Sequence, residues 1–186
     1  MRLPAVGLRR PAPRDSVLFV CHGNIARSPA AERLARRAYA VRGWSFDSAG
    51  IGAVVGHGVA EHIDDALRRR GVDPSGHAAK QLQRRHLTAA EYVLALDLTH
   101  LAWILDQWPE FAGRVFLLGE AAALAGTGRA NNRDALASAA CSPPGLQIED
   151  PYLRGSAVAE HAVAEIEAAV EALAPLLPDL RLRERR

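Results

Sequence analysis

Residues 17–28 read VLFVCHGNIARS, and this stretch decides the interpretation of the whole chain. An apolar run leads into Cys21, and five residues separate Cys21 from Arg27. The run predicts a buried β-strand, and the alanine-rich sequence from Ala30 onward predicts a helix. Gly23 allows the backbone between them to bend tightly. The pattern therefore predicts a strand, a loop that begins with a cysteine, and a helix that follows an arginine.

The residue types in this loop favour a nucleophile that attacks a bound oxyanion. Helix N-termini and nearby cations can lower a cysteine pKa to about 3.5–7.5, which produces the nucleophilic thiolate. Loop N–H groups can surround a tetrahedral anion, and the Arg27 guanidinium can grip two of its oxygens. Ser28 can donate a hydrogen bond to the Cys21 sulfur, and Pro29 suits a first helical turn. An inert, buried cysteine is the alternative, but it leaves the accompanying glycine, asparagine and Ser-Pro pair unexplained.

The chain resembles the low molecular weight protein tyrosine phosphatase family in several segments. The closest match is VLFVCHGNIARSPAAE at 17–32, and the second is Asp-Pro-Tyr at 150–152. Three weaker matches lie between them, namely SAGIGA at 48–53, GHAAKQL at 76–82 and YVLALD at 92–97. These segments follow the order of the family, and the resemblance extends from about Ser16 to Pro175.

The resemblance implies hydrolysis of phosphotyrosine in proteins through a phosphocysteine intermediate. Cys21 would be the nucleophile, Arg27 the oxyanion clamp, and Asp150 the general acid and then base. Taken alone, an aspartate before a proline is more typical of a turn. The resemblance further implies a set of substrate-binding residues: His22, Gly23, Asn24, Ile25, Ala26, Ser28 and Tyr152. The expected ligands are a tyrosine-phosphorylated protein and, in the loop, phosphate or other oxyanions, with no metal and no cofactor.

Two further residues are implied to support the loop. In the family, the asparagine that corresponds to Asn24 is held by hydrogen bonds to the equivalents of Ser48, Ser28 and His77. Without the resemblance, Ser48 is a serine at a strand end and His77 a loop histidine. We expect this network to fix the loop before the substrate arrives.

Three features depart from the family pattern. Ala26 stands where many members carry a second cysteine, so a protective disulfide within the loop cannot form. Val54 and Val55 stand near the place of a large aromatic residue, which predicts an aliphatic pocket wall. The segment from about Gly119 to Gln147 is rich in Gly, Asn, Ser and Pro and contains Cys141. It predicts an irregular insert at about 120–147 that leads directly into the Asp150 loop.

The composition is that of an ordinary globular protein. The 186 residues are 49% hydrophobic and 24% charged, which predicts one domain. A net charge of +2 is too small to indicate nucleic acid binding by itself, and two distant cysteines form no disulfide framework. No apolar stretch could cross a membrane or serve as a signal peptide. Lys80 is the only lysine, and arginine and alanine are abundant. We therefore expect a cytoplasmic, bacterial protein with no nucleic acid partner and no membrane insertion.

Strands and helices alternate along the chain, which predicts a parallel sheet covered on both faces. The expected fold is α/β, a three-layer α/β/α domain of the flavodoxin-like or Rossmann-like type, with four parallel strands. The predicted strands are Ser16–Val20, Ser45–Ala49, Tyr92–Leu96 and Arg114–Leu118. The predicted helices are Pro29–Arg42, Glu61–Arg70, Leu98 to about Gln107, and Gly155–Leu173. We assign 1–14 to a flexible extension, 15–178 to the catalytic domain and 179–186 to a basic tail.

Three other functions are compatible with parts of this sequence. An arsenate reductase of the same fold would need two more cysteines to relay a disulfide, and only Cys141 remains. A protein-arginine phosphatase typically carries a small polar residue where this chain has Ile25. A non-catalytic phosphate-binding module would be expected to have lost Cys21, Arg27 or Asp150, and all three are present. The sequence therefore favours a tyrosine phosphatase, with the arginine phosphatase as the nearest alternative.

Overall fold

The computed structural model describes residues 15–141 and 144–180, and it contains a parallel sheet of four strands. The strands are β1 (Ser16–Cys21), β2 (Ser45–Gly50), β3 (Tyr92–Ala95) and β4 (Val115–Leu117). Their order in the sheet is β2-β1-β3-β4, and each neighbouring pair is parallel. Helices pack on both faces of the sheet. The predicted three-layer α/β fold is confirmed.

The helices of the described residues connect these strands. They are α1 (Arg27–Ala38), α2 (Glu61–Arg69), α3 (Arg84–Ala89), α4 (Leu98–Gln107), α5 (Leu118–Gly126), α6 (Arg133–Ala139) and α7 (Ser156–Ala172). Two short 3₁₀ helices span Pro109–Arg114 and Pro144–Leu146. The ends of the predicted helices and strands differ from these bounds by up to four residues.

The side chains of β1 alternate between two hydrophobic cores. Val17 and Phe19 pack in a core that includes residues of α1, α2, α5 and α7. Leu18 and Val20 pack in a second core with residues of α3 and α4. All four side chains are at most 2% exposed. Because successive residues of a strand point to opposite faces, a strand covered on both faces needs an unbroken apolar run.

The order of the strands places a crevice at the carboxyl end of β1. From β1 the chain crosses to β2 on one side, and from β2 it crosses back to β3 on the other. Such a reversal opens the space in which open α/β sheets bind ligands. The residues after Cys21 and Asp97, which lies two residues beyond the end of β3, are both at this end of the sheet.

The segment predicted to be irregular contains two helices, so that prediction is wrong for α5 and α6. The first is alanine-rich, and alanine has the highest helix propensity. The second begins after Asn132, whose Oδ1 accepts a hydrogen bond from Ala135 N at 2.9 Å, and it buries Leu136 fully. The glycines and asparagines that suggested a continuous loop separate the two helices and cap the second. Residues 142–143 of the segment lie outside the described residues.

Helix α3 was not predicted at all. Its six residues are too few to show a helical period in the sequence. Its start is fixed by a capping box between Gln83 and His86, which satisfies backbone N–H groups at the helix N-terminus.

The predicted extension 1–14 and residues 181–186 of the predicted tail lie outside the described residues. The folded chain continues past the predicted domain boundary at 178. Leu180 N donates a hydrogen bond to Arg42 O at 3.0 Å, and the Leu180 side chain packs against the core. Among the described residues, no helix combines the length and the apolar character needed to cross a membrane.

Candidate active site

The predicted strand, loop and helix are present around Cys21. Cys21 is the last residue of β1 and is 3% exposed, and its Sγ lies 2.9 Å from Ser28 Oγ. Residues 21–27 form the turn that we name the cysteine loop. Helix α1 begins at Arg27, earlier than the predicted Pro29, so its free N–H groups and positive dipole end lie next to the loop.

The cysteine loop packs directly on the end of β2. Ile51 N donates to Cys21 O at 3.0 Å. At Gly50 there is no room for a side chain, because a Cβ atom there would lie 2.3 Å from His22 O. This close approach of two backbones requires a glycine at the end of β2.

Asn24 holds the cysteine loop from within. Its φ angle of 55° lies in the left-handed region, which asparagine tolerates better than most residues. The fully buried side chain donates from Nδ2 to Ser28 Oγ and to Ser48 Oγ, both at 2.9 Å. His77 Nε2 lies 2.7 Å from Asn24 O. The contacts predicted for Asn24 with Ser28, Ser48 and His77 are therefore all present.

A backbone group sets the direction of proton donation in this network. Lys80 N donates to Asn24 Oδ1 at 2.9 Å, and a backbone N–H can only donate, so the amide nitrogen must face the serines. Ser28 Oγ thus accepts from Asn24, and its own hydrogen is directed to Cys21 Sγ at 2.9 Å or Ala49 O at 3.4 Å. The shorter contact favours the sulfur. A hydrogen bond that a hydroxyl donates to the sulfur stabilises the thiolate form of a cysteine.

The same network ends on a buried carboxylate that the sequence analysis missed. Ser48 Oγ donates to Glu32 Oε2 at 2.6 Å, and Glu32 is 6% exposed. Arg36 Nε donates to Glu32 Oε1 at 2.9 Å from one turn further along α1. The spacing of Glu32 and Arg36 predicts a helical ion pair. Nothing in the sequence indicates that Ser48 meets this carboxylate.

Arg27 is a buried cation whose guanidinium is paired on two sides. It is 4% exposed. Nη1 donates to Asp97 Oδ2 at 2.9 Å and to Ile148 O at 3.0 Å, and Nη2 donates to Asp150 Oδ2 at 2.9 Å. A charge this deeply buried is tolerated only when it is paired and hydrogen-bonded. The two aspartates therefore fix the position of the guanidinium.

Asp97 is a second residue of the site that the sequence analysis did not assign. It follows β3 and caps α4, where its Oδ1 accepts from His100 N at 2.9 Å. An aspartate between a parallel strand and a helix lies at the edge where such sheets bind ligands. The position of Asp97 between a strand and a helix is therefore the sequence feature that could have identified it as a site residue.

Cys21, Arg27 and Asp150 line one cavity of about 100 Å³. Its other lining residues are His22, Gly23, Ile25, Ala26, Val54 and Tyr152. The Asp150 side chain is 52% exposed, and its Oδ1 accepts from Tyr152 N at 3.2 Å. The cavity thus brings together a thiol, a guanidinium and a solvent-accessible carboxyl group.

Some predicted site residues lie elsewhere. Asn24 and Ser28, which were expected to bind substrate, are fully buried and are not among the residues that line the cavity. Their side chains hydrogen-bond to each other, with Asn24 Nδ2 donating to Ser28 Oγ. Val54 forms part of the cavity wall, as predicted, whereas Val55 is 68% exposed and does not line it.

Neither a disulfide nor a metal-binding cluster is present among the residues that the structure describes. Cys21 and Cys141 are both free, and Cys141 is exposed. Within 15–141 and 144–180, no group of three or more His, Cys, Asp or Glu side chains could hold a metal ion.

His100 is buried next to the pair formed by Arg27 and Asp97. Its Nδ1 lies 3.0 Å from Asp97 Oδ1, without the alignment of a hydrogen bond. Burial lowers the pKa of His100 to about 4, an effect that the Asp97 carboxylate opposes and the Arg27 guanidinium reinforces. His100 is therefore neutral at neutral pH, which avoids a second cation beside Arg27.

The substitution His100→Gln is expected to flatten the acid side of the stability profile. The pKa of His100 is about 4 in the folded protein, against 6.5 for an unperturbed histidine. The unfolded chain thus binds more protons between these values, so wild-type stability is full above about 6.5 and falls toward about 4. This contribution is roughly 3 kcal/mol when complete.

Urea unfolding at about pH 7 and about pH 4.5 measures the effect. His161→Gln is the matched control, because His161 is 70% exposed. Wild-type pH dependence in His100→Gln would contradict a buried, neutral His100.

The chain is similar to known proteins in sequence and in fold. The sequence model of the family described as low molecular weight phosphotyrosine protein phosphatase matches residues 16–134. The probable low molecular weight protein-tyrosine-phosphatase EpsP of Ralstonia solanacearum is 31% identical over 160 residues, which are 86% of this chain and 94% of that protein.

Two solved structures share the fold over most of their length. One is the tyrosine phosphatase Wzb from Escherichia coli K30 in complex with sulphate, with a TM-score of 0.68 and 26% identity over 84% of this chain and 94% of that one. The other is the YwlE arginine phosphatase from Geobacillus stearothermophilus, with a TM-score of 0.70 and 26% identity over 91% of this chain and 94% of that one.

Proposed function

The chain belongs to the low molecular weight phosphotyrosine protein phosphatase family and is a phosphatase, and we propose that it hydrolyses phosphotyrosine in proteins through a phosphocysteine intermediate. The observation that carries the proposal is the convergence of Cys21, Arg27 and Asp150 on one small cavity. A thiolate supplies the nucleophile, a guanidinium binds the oxyanion, and a carboxyl group supplies the proton for the leaving group.

In the first step, the Cys21 thiolate attacks phosphorus on the side opposite the leaving oxygen. An S–P bond forms while the P–O bond to the phenol breaks, and the Asp150 carboxyl group gives its proton to the phenol oxygen. The loop N–H groups and Arg27 stabilise the charge on the other phosphate oxygens.

The pairing of Arg27 prepares this step. Asp97 and Ile148 O hold Nη1, so the guanidinium keeps its place while Nη2 exchanges Asp150 for a phosphate oxygen. The exchange releases Asp150 toward the leaving group. Asp150 no longer pairs with Arg27, and its carboxyl group is then free to approach the leaving oxygen as the proton donor.

In the second step, the ionised Asp150 takes a proton from water as the water oxygen attacks phosphorus. The S–P bond breaks, inorganic phosphate forms, and Cys21 leaves as a thiolate. Ser28 stabilises that leaving group, since its hydroxyl is directed to the sulfur by Asn24.

Asp150→Asn is expected to slow hydrolysis of substrates with poor leaving groups by about 10²–10⁴-fold. Activated nitrophenyl phosphates should lose much less, because their leaving groups need no proton. The measurement is kcat for a series of aryl phosphates plotted against the pKa of the phenol. Glu149→Gln is the matched control, an exposed neighbour that pairs with Arg154. Equal losses across the series in Asp150→Asn would contradict the role of general acid.

The lining of the cavity favours a phenyl ring over a guanidinium as the phosphorylated group. Ile25, Val54 and Tyr152 supply apolar contacts for a flat ring. Among the lining residues, the carboxylate that could pair with a phosphoarginine side chain is Asp150 itself. Using Asp150 in that way would remove the proton donor from the leaving group.

A substrate panel tests the proposed function. The wild-type enzyme is given a phosphotyrosine peptide, phosphoarginine, and arsenate with a thiol reductant, and phosphate or arsenite release is measured. We expect release of phosphate from the phosphotyrosine peptide with much lower kcat/KM for phosphoarginine and no arsenite. A preference for phosphoarginine, reduction of arsenate, or phosphate binding without any turnover would each contradict the proposal.

A further inference from the structure

A second and larger cavity lies next to the catalytic one. Its volume is about 580 Å³, against about 100 Å³ for the catalytic cavity. It lies between the start of α2 and the segment 151–155, and Ile25 and Tyr152 line both cavities. This volume is typical of pockets that hold a ligand. A molecule that occupies the catalytic cavity can therefore continue into the second one.

Leu153 borders the second cavity and has a backbone conformation that is unfavourable for leucine. Its φ angle of 59° lies in the left-handed region, which is unusual for a bulky apolar residue. Arg154 N donates to Pro151 O at 3.2 Å, which closes a turn with Leu153 at a position that glycine or asparagine commonly fills. The leucine is 84% exposed, so no burial compensates the strain. A strained and exposed leucine at a cavity edge indicates a ligand that covers it.

The exposed apolar surface of the described residues is concentrated here. Of their five exposed large hydrophobic side chains, four lie on the two segments that border the catalytic cavity, namely Val54, Val55, Tyr152 and Leu153. The fifth, Val41, follows α1 and lines neither cavity. A clustered apolar surface of this kind is typical of an interaction site.

We propose that the second cavity binds the polypeptide of the substrate next to its phosphotyrosine, and that it takes an apolar side chain covered by Leu153. The inference rests on the proposed function and names the substrate feature that the same site selects. The inference depends on the continuity of the two cavities, because Ile25 and Tyr152 line both of them. Residues of an extended peptide lie about 3.3 Å apart along the chain, so a residue near the phosphotyrosine can reach the second cavity.

The charges of the second cavity favour an apolar occupant over an acidic one. Its polar side chains are His57, His62, Glu61 and the hydroxyl-bearing Tyr152, and its lining residues include no lysine or arginine. An acidic side chain would meet the carboxylate of Glu61 without a permanent cation to offset it. The remaining walls include Val59, Pro151 and Leu153, which exclude water from an aliphatic side chain.

The substitution Leu153→Asp tests the proposal. Two phosphotyrosine peptides that carry either leucines or alanines beside the phosphotyrosine are compared with p-nitrophenyl phosphate, which cannot reach the second cavity. We expect Leu153→Asp to lower kcat/KM for the leucine peptide about tenfold and to leave p-nitrophenyl phosphate within about twofold. Val41→Asp, at an exposed apolar position outside both cavities, is expected to change neither.

Leu153→Gly separates binding from stability. Glycine fits the left-handed backbone, so this variant is expected to melt at a higher temperature while it loses the preference for the leucine peptide. Both Leu153 variants could retain the wild-type kcat/KM for the leucine peptide and normal turnover of p-nitrophenyl phosphate. That result would overturn this inference and leave the proposed function standing. Failure of the wild-type enzyme to hydrolyse either phosphotyrosine peptide would overturn the proposed function and this inference with it.

Discussion

Cys21→Ser is expected to abolish turnover and to leave oxyanion binding measurable. A serine hydroxyl at this position stays protonated and is a far weaker nucleophile than a thiolate. Removal of a catalytic nucleophile typically costs about 10⁶-fold in kcat. The loop N–H groups and Arg27 remain in place, and they bind vanadate or phosphate without the sulfur. Steady-state kinetics with p-nitrophenyl phosphate and calorimetric titration with phosphate measure the two properties separately.

Cys141→Ser is the matched control for this substitution. Cys141 is the other free cysteine of the chain, and it is exposed and does not line the catalytic cavity. Its variant is expected to retain wild-type kcat and phosphate affinity. Substantial turnover in Cys21→Ser would contradict the assignment of Cys21 as the nucleophile.

Arg27→Ala is expected to lose both oxyanion binding and rate. The guanidinium contributes a charge-assisted, two-pronged contact that strengthens as charge develops on phosphate. By analogy with arginines that stabilise phosphoryl transfer elsewhere, the loss of kcat is at least about 10³-fold. Arg27→Lys keeps the charge but lacks the planar fork that bridges Asp97 and Asp150, so it is expected to recover stability more than rate.

The readouts for Arg27 are phosphate affinity, kcat and the thermal unfolding midpoint of each variant. Arg68→Ala provides the control, since Arg68 is exposed on α2 and pairs with Asp64. Wild-type phosphate affinity in Arg27→Ala would be incompatible with a clamp on the oxyanion.

The parts of the site that depend on local sequence could be predicted. The strand, the cysteine loop and the helix follow from one continuous stretch, because an apolar run, a tight turn and a helix N-terminus are all local features. The roles of Asp150 and of the partners of Asn24 follow from the resemblance to a family. Their side chains come from segments far apart in the chain, and spacing alone does not bring them together.

The residues that were missed are those whose role depends on tertiary contacts. Asp97 reads as an ordinary helix cap, and only the packing of β3 beside β1 brings it to Arg27. The sequence is typical of a surface position for Glu32 on α1. Only the folded structure shows that Glu32 is buried and accepts a hydrogen bond from Ser48 of β2.

The wrong prediction for the segment at 120–147 has a different cause. Gly, Asn, Ser and Pro are typical of helix ends as well as of loops, so composition does not separate the two. The buried Leu136 anchors α6, and its burial depends on packing that the sequence does not reveal. The left-handed backbone of Leu153 is likewise invisible in the sequence, since leucine gives no signal for it.

Trapping of the phosphorylated intermediate is the most direct measurement of the mechanism. In Asp150→Asn, an activated nitrophenyl phosphate still forms the intermediate, while its hydrolysis is slowed because the base for the second step is missing. Rapid acid quenching followed by peptide mass spectrometry then locates the phosphoryl group. A phosphoryl group on the Cys21 sulfur, formed and consumed at rates compatible with kcat, is the expected result. A phosphoryl group on Ser28 or His22, or turnover with no phosphorylated peptide at any time, would contradict nucleophilic catalysis by Cys21.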